Sequence, residues 1–199
     1  MKRNFCVYFA AISATLFFLN TAYAKNVDRI VAKVNDDIVL QSELNENVSS
    51  FVSQAQLSVA SSEMKKKILD QMIDEKILLQ EAKKENIEIS DDEIKTAFQN
   101  LRDKFPTKED FNRELRKQNL TILEVQANLV KQLKIMRLIE KNVKRKIQVS
   151  SKEIDEYASG RTNQSKDEIK NLIFDQKFND AFTVWMKKLK EDAIIEIKL

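Results

Sequence analysis

The chain has 199 residues, with 34 Lys plus Arg, 31 Asp plus Glu, one cysteine, one glycine, one proline and no histidine. Without histidine no Ser-His-Asp or Cys-His catalytic set can be assembled, and zinc or copper would be left with carboxylates alone, which are poor ligands for those metals. A single glycine, Gly160, excludes a glycine-rich phosphate loop; the composition therefore points to a binding protein without cofactor, metal or catalytic residues.

In chain order, Lys2 and Arg3 precede an apolar run of 15 residues from Phe5 to Leu19, and Ala22-Tyr23-Ala24 sets small residues at the two positions a signal peptidase reads. That order is a secretory signal peptide, residues 1–24. The run is shorter than the roughly 20 residues that span a bilayer, so cleavage after Ala24 is expected and not a retained anchor. Cys6 stands at the start of the apolar run, where it cannot become a lipid-modified N-terminus. The expected product is a single periplasmic domain, residues 25–199, with no stable membrane insertion. Its 32 basic residues against 31 acidic ones leave a net charge of +1, which gives no strongly basic face for nucleic acid. The local cluster Lys141, Lys144, Arg145 and Lys146 falls where a long helix should end, and cations there complement the helix dipole.

Residues 29–40 read as a hairpin. Ile30, Val31 and Val34 precede Asn35-Asp36-Asp37, and Ile38, Val39 and Leu40 follow; β-branched residues suit a pleated surface, and Asn or Asp accepts the backbone of a tight turn. From there the pattern is helical. Ser42 is the expected cap of a helix with Leu44, Val48, Phe51 and Val52 on its apolar face. Ser61 or Ser62 opens the next, with Met64, Ile68, Met72, Leu79 and Ala82. Ser90 to Glu93 is a capping box, in which serine accepts from the third helical amide and glutamate reaches back. Pro106 breaks the chain and Thr107 caps a short helix carrying Phe111 and Leu115. Thr121 to Glu124 is a second box, opening the longest stripe: Ile122, Val125, Leu129, Leu133, Met136, Val143 and Ile147. Ser150 to Glu153 is a third, ahead of Ile154 and Tyr157. Residues 158–165 read as a linker. A last helix shows Phe174, Phe178, Phe182, Trp185 and Leu189, and Ile194 to Leu199 alternates like a half-buried strand. A lone strand leaves its backbone unpaired, and the only other strand candidates are at 30–40. The predicted fold is therefore mainly α, with a small antiparallel sheet formed by the N-terminal hairpin and the C-terminal strand.

Three stretches together resemble a known family. Residues 34–44 (VNDDIVLQSEL), residues 71–80 (QMIDEKILLQ) with 87–94 (IEISDDEI), and the stretch from Lys177-Phe178 through Trp185-Met186 to the closing strand are similar, in this order, to the SurA family of periplasmic chaperones. The resemblance covers a helical module at 27–157 and a C-terminal helix and strand at 166–199. In that family, parvulin-type prolyl isomerase domains lie between these two parts. Here only the linker separates Tyr157 from Lys166, so the resemblance implies the chaperone core without isomerase activity. It also implies a partner class, unfolded outer-membrane β-barrel precursors or other extended polypeptides, held and released without ATP. A dedicated assembly adaptor for one envelope partner is the alternative, and a prolyl isomerase the remote one. Exposed Phe and Met offer adaptable contacts to such clients. The expected client-binding residues are Phe98, Phe105, Phe111 and Leu115, which flank the proline break; for each, the alternative is to fill the core around the short helix. The Phe174–Trp185 stripe reads as core.

Overall fold

The structure, a computed structural model, describes residues 28–159 and 164–198. The expected signal segment with Ala22 and Ala24 lies outside the described residues, as do residues 160–163 of the expected linker. Within the described span the chain is mainly helical, with seven α-helices and one three-stranded antiparallel sheet.

Strand β1 (Ile30–Val34) pairs with β2 (Asp37–Leu40) so that Val34 lies opposite Asp37 and the turn is Asn35-Asp36. With no glycine there, Asn35 itself takes the left-handed backbone, φ 53°, which asparagine tolerates better than most residues. Strand β3 (Ile195–Ile197) pairs antiparallel with the other edge of β1, giving the order β2-β1-β3. The two ends of the described chain thus close one sheet, as the shortage of strand partners predicts. A register shift between Ile30 and Ala32 marks a β-bulge. It accounts for Val31, Ala32 and Val34 all being fully buried, which strict alternation would forbid.

Helix α1 (Gln41–Gln54) corrects the expected cap. Ser42 is its second residue, and the cap position is Leu40. Strand runs into helix with no loop between, so polar partners come from elsewhere. Asp28 accepts the Ser42 N–H at 3.2 Å and the Ser42 hydroxyl, and Glu43 accepts the Leu40 N–H at 2.9 Å. The remaining helices are capped by side chains as read from sequence: Ser61 for α2 (Ser62–Lys84), Ser90 for α3 (Asp91–Arg102), Thr107 for α4 (Lys108–Lys117), Thr121 for α5 (Ile122–Asn142) and Ser150 for α6 (Ser151–Ala158). Ser165 caps α7 (Lys166–Glu191) in a further box with Glu168, inside the stretch expected to be linker. At the opposite ends, Gln56, Asn86 and Asn119 take φ between 51° and 53° just after α1, α2 and α4. They fill the left-handed stop position that glycine usually holds, and the Ile87 N–H reaches back to the Ala82 carbonyl at 2.9 Å.

Two adjoining apolar clusters hold these elements. The first joins Val31, Ala32, Val34 and Val39 of the sheet to Leu44 of α1 and Ile68, Leu69, Ile73 and Ile77 of α2, with Leu189, Ala193 and Ile195 packed against it. The second joins Leu78, Ala82 and Ile87 to Leu138 of α5 and Met186 of α7, with Ile135, Phe182, Trp185 and Leu189 around it. Helix α2 therefore runs through both cores, and Leu189 of α7 bridges them. The expected stripes are rotated in detail. On α5, Leu138 is buried and Met136 exposed; the helix ends at Asn142, and a 3-10 turn, Lys144–Lys146, takes Ile147 off its face. On α7, Ile169, Ile173 and Met186 are the buried residues, while Phe174, Phe178, Phe182 and Trp185 are half-buried. A helix packed on one side at its start and on another at its end buries no single continuous line.

Candidate functional site

Helices α3 and α4 are joined through residues 103–107, and α3 packs along α5. This arm is thinly covered. Helix α3 buries no side chain, α4 buries only Phe111, and the first half of α5 buries only Val125. The turn places Phe105 beside Phe111, ring centroids 5.3 Å apart, and Phe98 approaches Phe111 from α3 at 5.8 Å, both pairs edge to face. Aromatic rings favour that geometry because a ring's positive edge meets its neighbour's negative face. Leu115 lies one helical turn after Phe111 on the same face of α4 and is half-buried.

The four expected residues are thus brought to one place with different exposures. Phe111 is 3% exposed and forms the floor; Phe98, Phe105 and Leu115 are half-buried around it. Beyond them the start of α5 presents Ile122 at 47% and Leu123 at 77% exposure. Leu123 was not singled out from sequence because it falls off the three-four spacing of the α5 stripe. That misfit was itself the available signal, since an apolar residue outside a helix's buried stripe has no core to enter.

The base of the arm is fixed by charge. Arg137 of α5 donates to the Glu88 carbonyl at 2.6 Å and pairs with Glu93. Glu93 is held below the ordinary carboxylate range, first by the Ser90 backbone N–H and then by the Ser90 hydroxyl and Arg137. One turn further, Lys141 stands 2.7 Å from Glu85, and Asn142 donates to the same carboxylate at 2.6 Å. The Lys141 hydrogen bond is the main reason Glu85 is also lowered. Lys190 of α7 reaches Asp74 of α2 at 2.5 Å and gives that buried carboxylate oxygen its counter-charge.

A second half-covered region lies along α7. Phe178 and Phe182 stack with centroids 5.9 Å apart, and Trp185 continues the row at 6.1 Å. A groove of about 410 Å³ runs between the hairpin, α2, α5 and α7, lined by Asn35, Gln80, Glu85, Trp185, Lys188 and Asp192 among others. Helix α6 is tied to α7 by Lys177, which pairs with Glu153 and donates to the Gln148 carbonyl at 2.7 Å. Lys166 stands 2.9 Å from Asp155 in the same contact. Lys177 first, and the Ser150 cap second, lower Glu153 to about 2. Among the described residues no group of three or more Asp, Glu, Cys or His stands at metal-binding spacing, and no helix is long and apolar enough to cross a membrane.

Chaperone SurA of Nitrosococcus oceani is 31% identical over 150 residues, covering 72% of this chain and 34% of that protein. Chaperone SurA of Buchnera aphidicola subsp. Acyrthosiphon pisum is 28% identical over 209 residues, 97% of this chain and 44% of that protein. For Chaperone SurA of Hahella chejuensis the identity is 28% over 141 residues, 68% of this chain and 32% of the relative. The chain therefore matches only 32% to 44% of the length of these relatives. Among solved structures, one from work describing the virulence factor PEB4 and the periplasmic protein Cj1289 of Campylobacter jejuni as structurally related SurA-like chaperones shares the fold. Its TM-score is 0.61 at 12% identity, covering 86% of this chain and 99% of that one. The family described as the SurA-like N-terminal domain matches residues 4–139. That match takes in the hairpin and the helices from α1 into α5, more than half of the chain: the chain belongs to the SurA-like N-terminal domain family.

Proposed function

We propose that this protein is a periplasmic, ATP-independent chaperone that holds unfolded polypeptides, outer-membrane β-barrel precursors first among them, and does no covalent chemistry. The observation that carries this is the arm: Phe98 and Phe105 half-buried against Phe111, Leu115 half-buried one turn further along α4, and Ile122 and Leu123 exposed where α5 begins. Large apolar side chains left outside a core mark a binding surface when they gather in one place. Rings and branched chains at the end of a thinly packed arm can adapt to many sequences, which a holding chaperone needs. Weak, distributed contacts also allow release without ATP.

Aggregation of several unrelated unfolded β-barrels, measured by light scattering with and without equimolar mature protein, tests this. Suppression for all of them is expected. Suppression of one alone would make the protein a dedicated assembly adaptor, and suppression of none would overturn the proposal. Leu123→Asp removes apolar surface without touching a core. It should leave the melting temperature within about 2 °C, since exposed substitutions cost little, and reduce client affinity about fivefold, the worth of roughly 1 kcal/mol of lost apolar contact.

A further inference from the structure

The outer edge of β3 is open. Strand β3 meets β1 with Ile197 opposite Ala32, Glu196 opposite Lys33 and Ile195 opposite Val34. Hydrogen bonds at both ends set which residues face β1. The Asn35 N–H donates to the Ile194 carbonyl at 2.8 Å, and the Lys198 N–H donates to the Val31 carbonyl at 2.8 Å. In an antiparallel pair such bonded positions alternate, so residues 194, 196 and 198 turn their backbone groups to β1. Ile195 and Ile197 turn theirs the other way. With the order β2-β1-β3 no further strand stands beside them among the described residues.

Their side chains add a second observation. Ile195 and Ile197 lie on the face of the sheet that carries Ala32 and Val34, since cross-strand partners share a face. Ile195 packs on the first core cluster, but Ile197 is 49% exposed. The core-facing side of the sheet therefore extends past the helices that cover it, and stops where another strand would continue it.

We infer that β3 is a second client contact, taking one extended polypeptide segment, apolar at alternate positions, as a fourth strand of the sheet. This rests on the polypeptide-binding function proposed above. The backbone of the segment would pair with the N–H and C=O groups of Ile195 and Ile197. One row of its side chains would lie beside Ile197 on the core-facing side, and the other would face water with Glu196 and Lys198. Strand addition of this kind takes affinity from main-chain bonds and selectivity from alternate side chains. It suits clients of varied sequence that share only alternation. The open edge is three residues long, short enough to protect the free protein from edge-to-edge pairing with itself.

Ile197→Pro tests this cleanly. Its N–H points outward, so proline there removes a donor from the open edge and none from the pairing with β1; proline is tolerated on edge strands in that position. The probe is a peptide of about ten residues alternating Tyr and Thr, the length of one barrel strand, with a twin methylated on alternate backbone nitrogens. Saturating peptide should slow hydrogen exchange of the Ile195 and Ile197 amides at least tenfold in the unmodified protein. Ile197→Pro should bind the peptide about tenfold more weakly, and the methylated twin should bind both proteins equally and weakly. Peptide binding with unchanged exchange at both amides and equal affinity for the variant would overturn the edge site while leaving polypeptide binding intact. No binding of any peptide would overturn both. Protection of these amides without peptide, rising with protein concentration, would assign the edge to a second copy and overturn the inference. Should the variant fail to fold, exchange in the unmodified protein decides alone.

Discussion

Asn35 does more than turn the hairpin. Its Nδ2 donates to Gln80 Oε1 at 2.6 Å, and its Oδ1 accepts the Ile194 N–H at 2.8 Å. Gln80 in turn donates to the Val34 carbonyl at 3.0 Å and to Asp37 at 2.7 Å. One residue thus ties the hairpin, α2 and the returning strand. Asn35→Gly keeps the left-handed backbone but loses two side-chain bonds, an expected cost of about 1–2 kcal/mol. Asn35→Ala loses the bonds and adds the left-handed penalty, about a further 1 kcal/mol. Urea titration of the pair checks both the size and the order of these effects. From sequence, Asn35 was legible as a turn residue because the turn is local; its bonds to positions 80 and 194 were not, because they reach 45 and 159 residues along the chain. Glu153 makes a pH-dependent contribution. Its folded carboxyl titrates at about 2, below the ordinary 4.5, so the folded state favours the charged form more than the unfolded chain does. That stabilisation is complete above the unfolded value and drains away as pH falls from about 4.5 towards 2. Glu153→Gln should lower the melting temperature at pH 7 by about 1–3 °C, as exposed pairs contribute little. The gap between variant and unmodified protein should close as the pH is taken down through that window.

Among the strands, β3 is the shortest, and it carries the most consequence. Removing residues 193–199 takes Ala193 and Ile195 from the first core cluster and frees the Val31 carbonyl and the Asn35 N–H that β3 engages. Half-burial of an isoleucine and loss of several backbone bonds together cost about 3 kcal/mol. For a domain of this size that lowers the melting temperature by roughly 10 °C, with Trp185 fluorescence reporting loosened packing of the adjoining end of α7. Val59→Ser, at an exposed position after α1, is the control and should change neither. An unchanged melting temperature after the deletion would show that closing the sheet contributes nothing to stability. Helix starts were legible in sequence because the capping serine or threonine sits within three residues of the amide it serves, with a glutamate there in α3, α5 and α6. The cap of α1 was not, because Asp28, which serves it, sits across the hairpin. Ends of helices were less legible: Gln56, Asn86 and Asn119 take a role normally signalled by glycine.

For the molecule as a whole, two expectations bear on where it works and what it lacks. Protein secreted from an expressing cell should begin at Lys25, by N-terminal sequencing, and fractionate with soluble periplasmic material; an intact Met1 on membrane-embedded protein would overturn cleavage after Ala24. The purified mature protein should leave cis–trans exchange of a proline peptide at its uncatalysed rate, since the eight residues between Tyr157 and Lys166 cannot hold an isomerase domain. A proline-specific acceleration proportional to protein concentration would contradict this. The arm and the sheet edge lie in different parts of the fold, one on α3, α4 and α5 and one on β3, so clients long enough to reach both would be held more tightly than either contact alone allows.

The amino-acid sequence by itself determined the mainly α character, the hairpin, five of the helix caps and the meeting of the chain ends. Those follow from periodicity, from caps three residues apart, and from a strand's need for a partner. It also brought Phe98, Phe105, Phe111 and Leu115 into view as a group around Pro106. Tertiary structure alone decided that Phe111 is the floor of that group, that Leu138 and not Met136 enters the core, and that the Phe178–Trp185 row stays half-covered. The physical reason is common to all three. A stripe on a helix states which side chains share a face, but burial depends on what packs against that face at each turn, and α5 and α7 each meet different neighbours along their length.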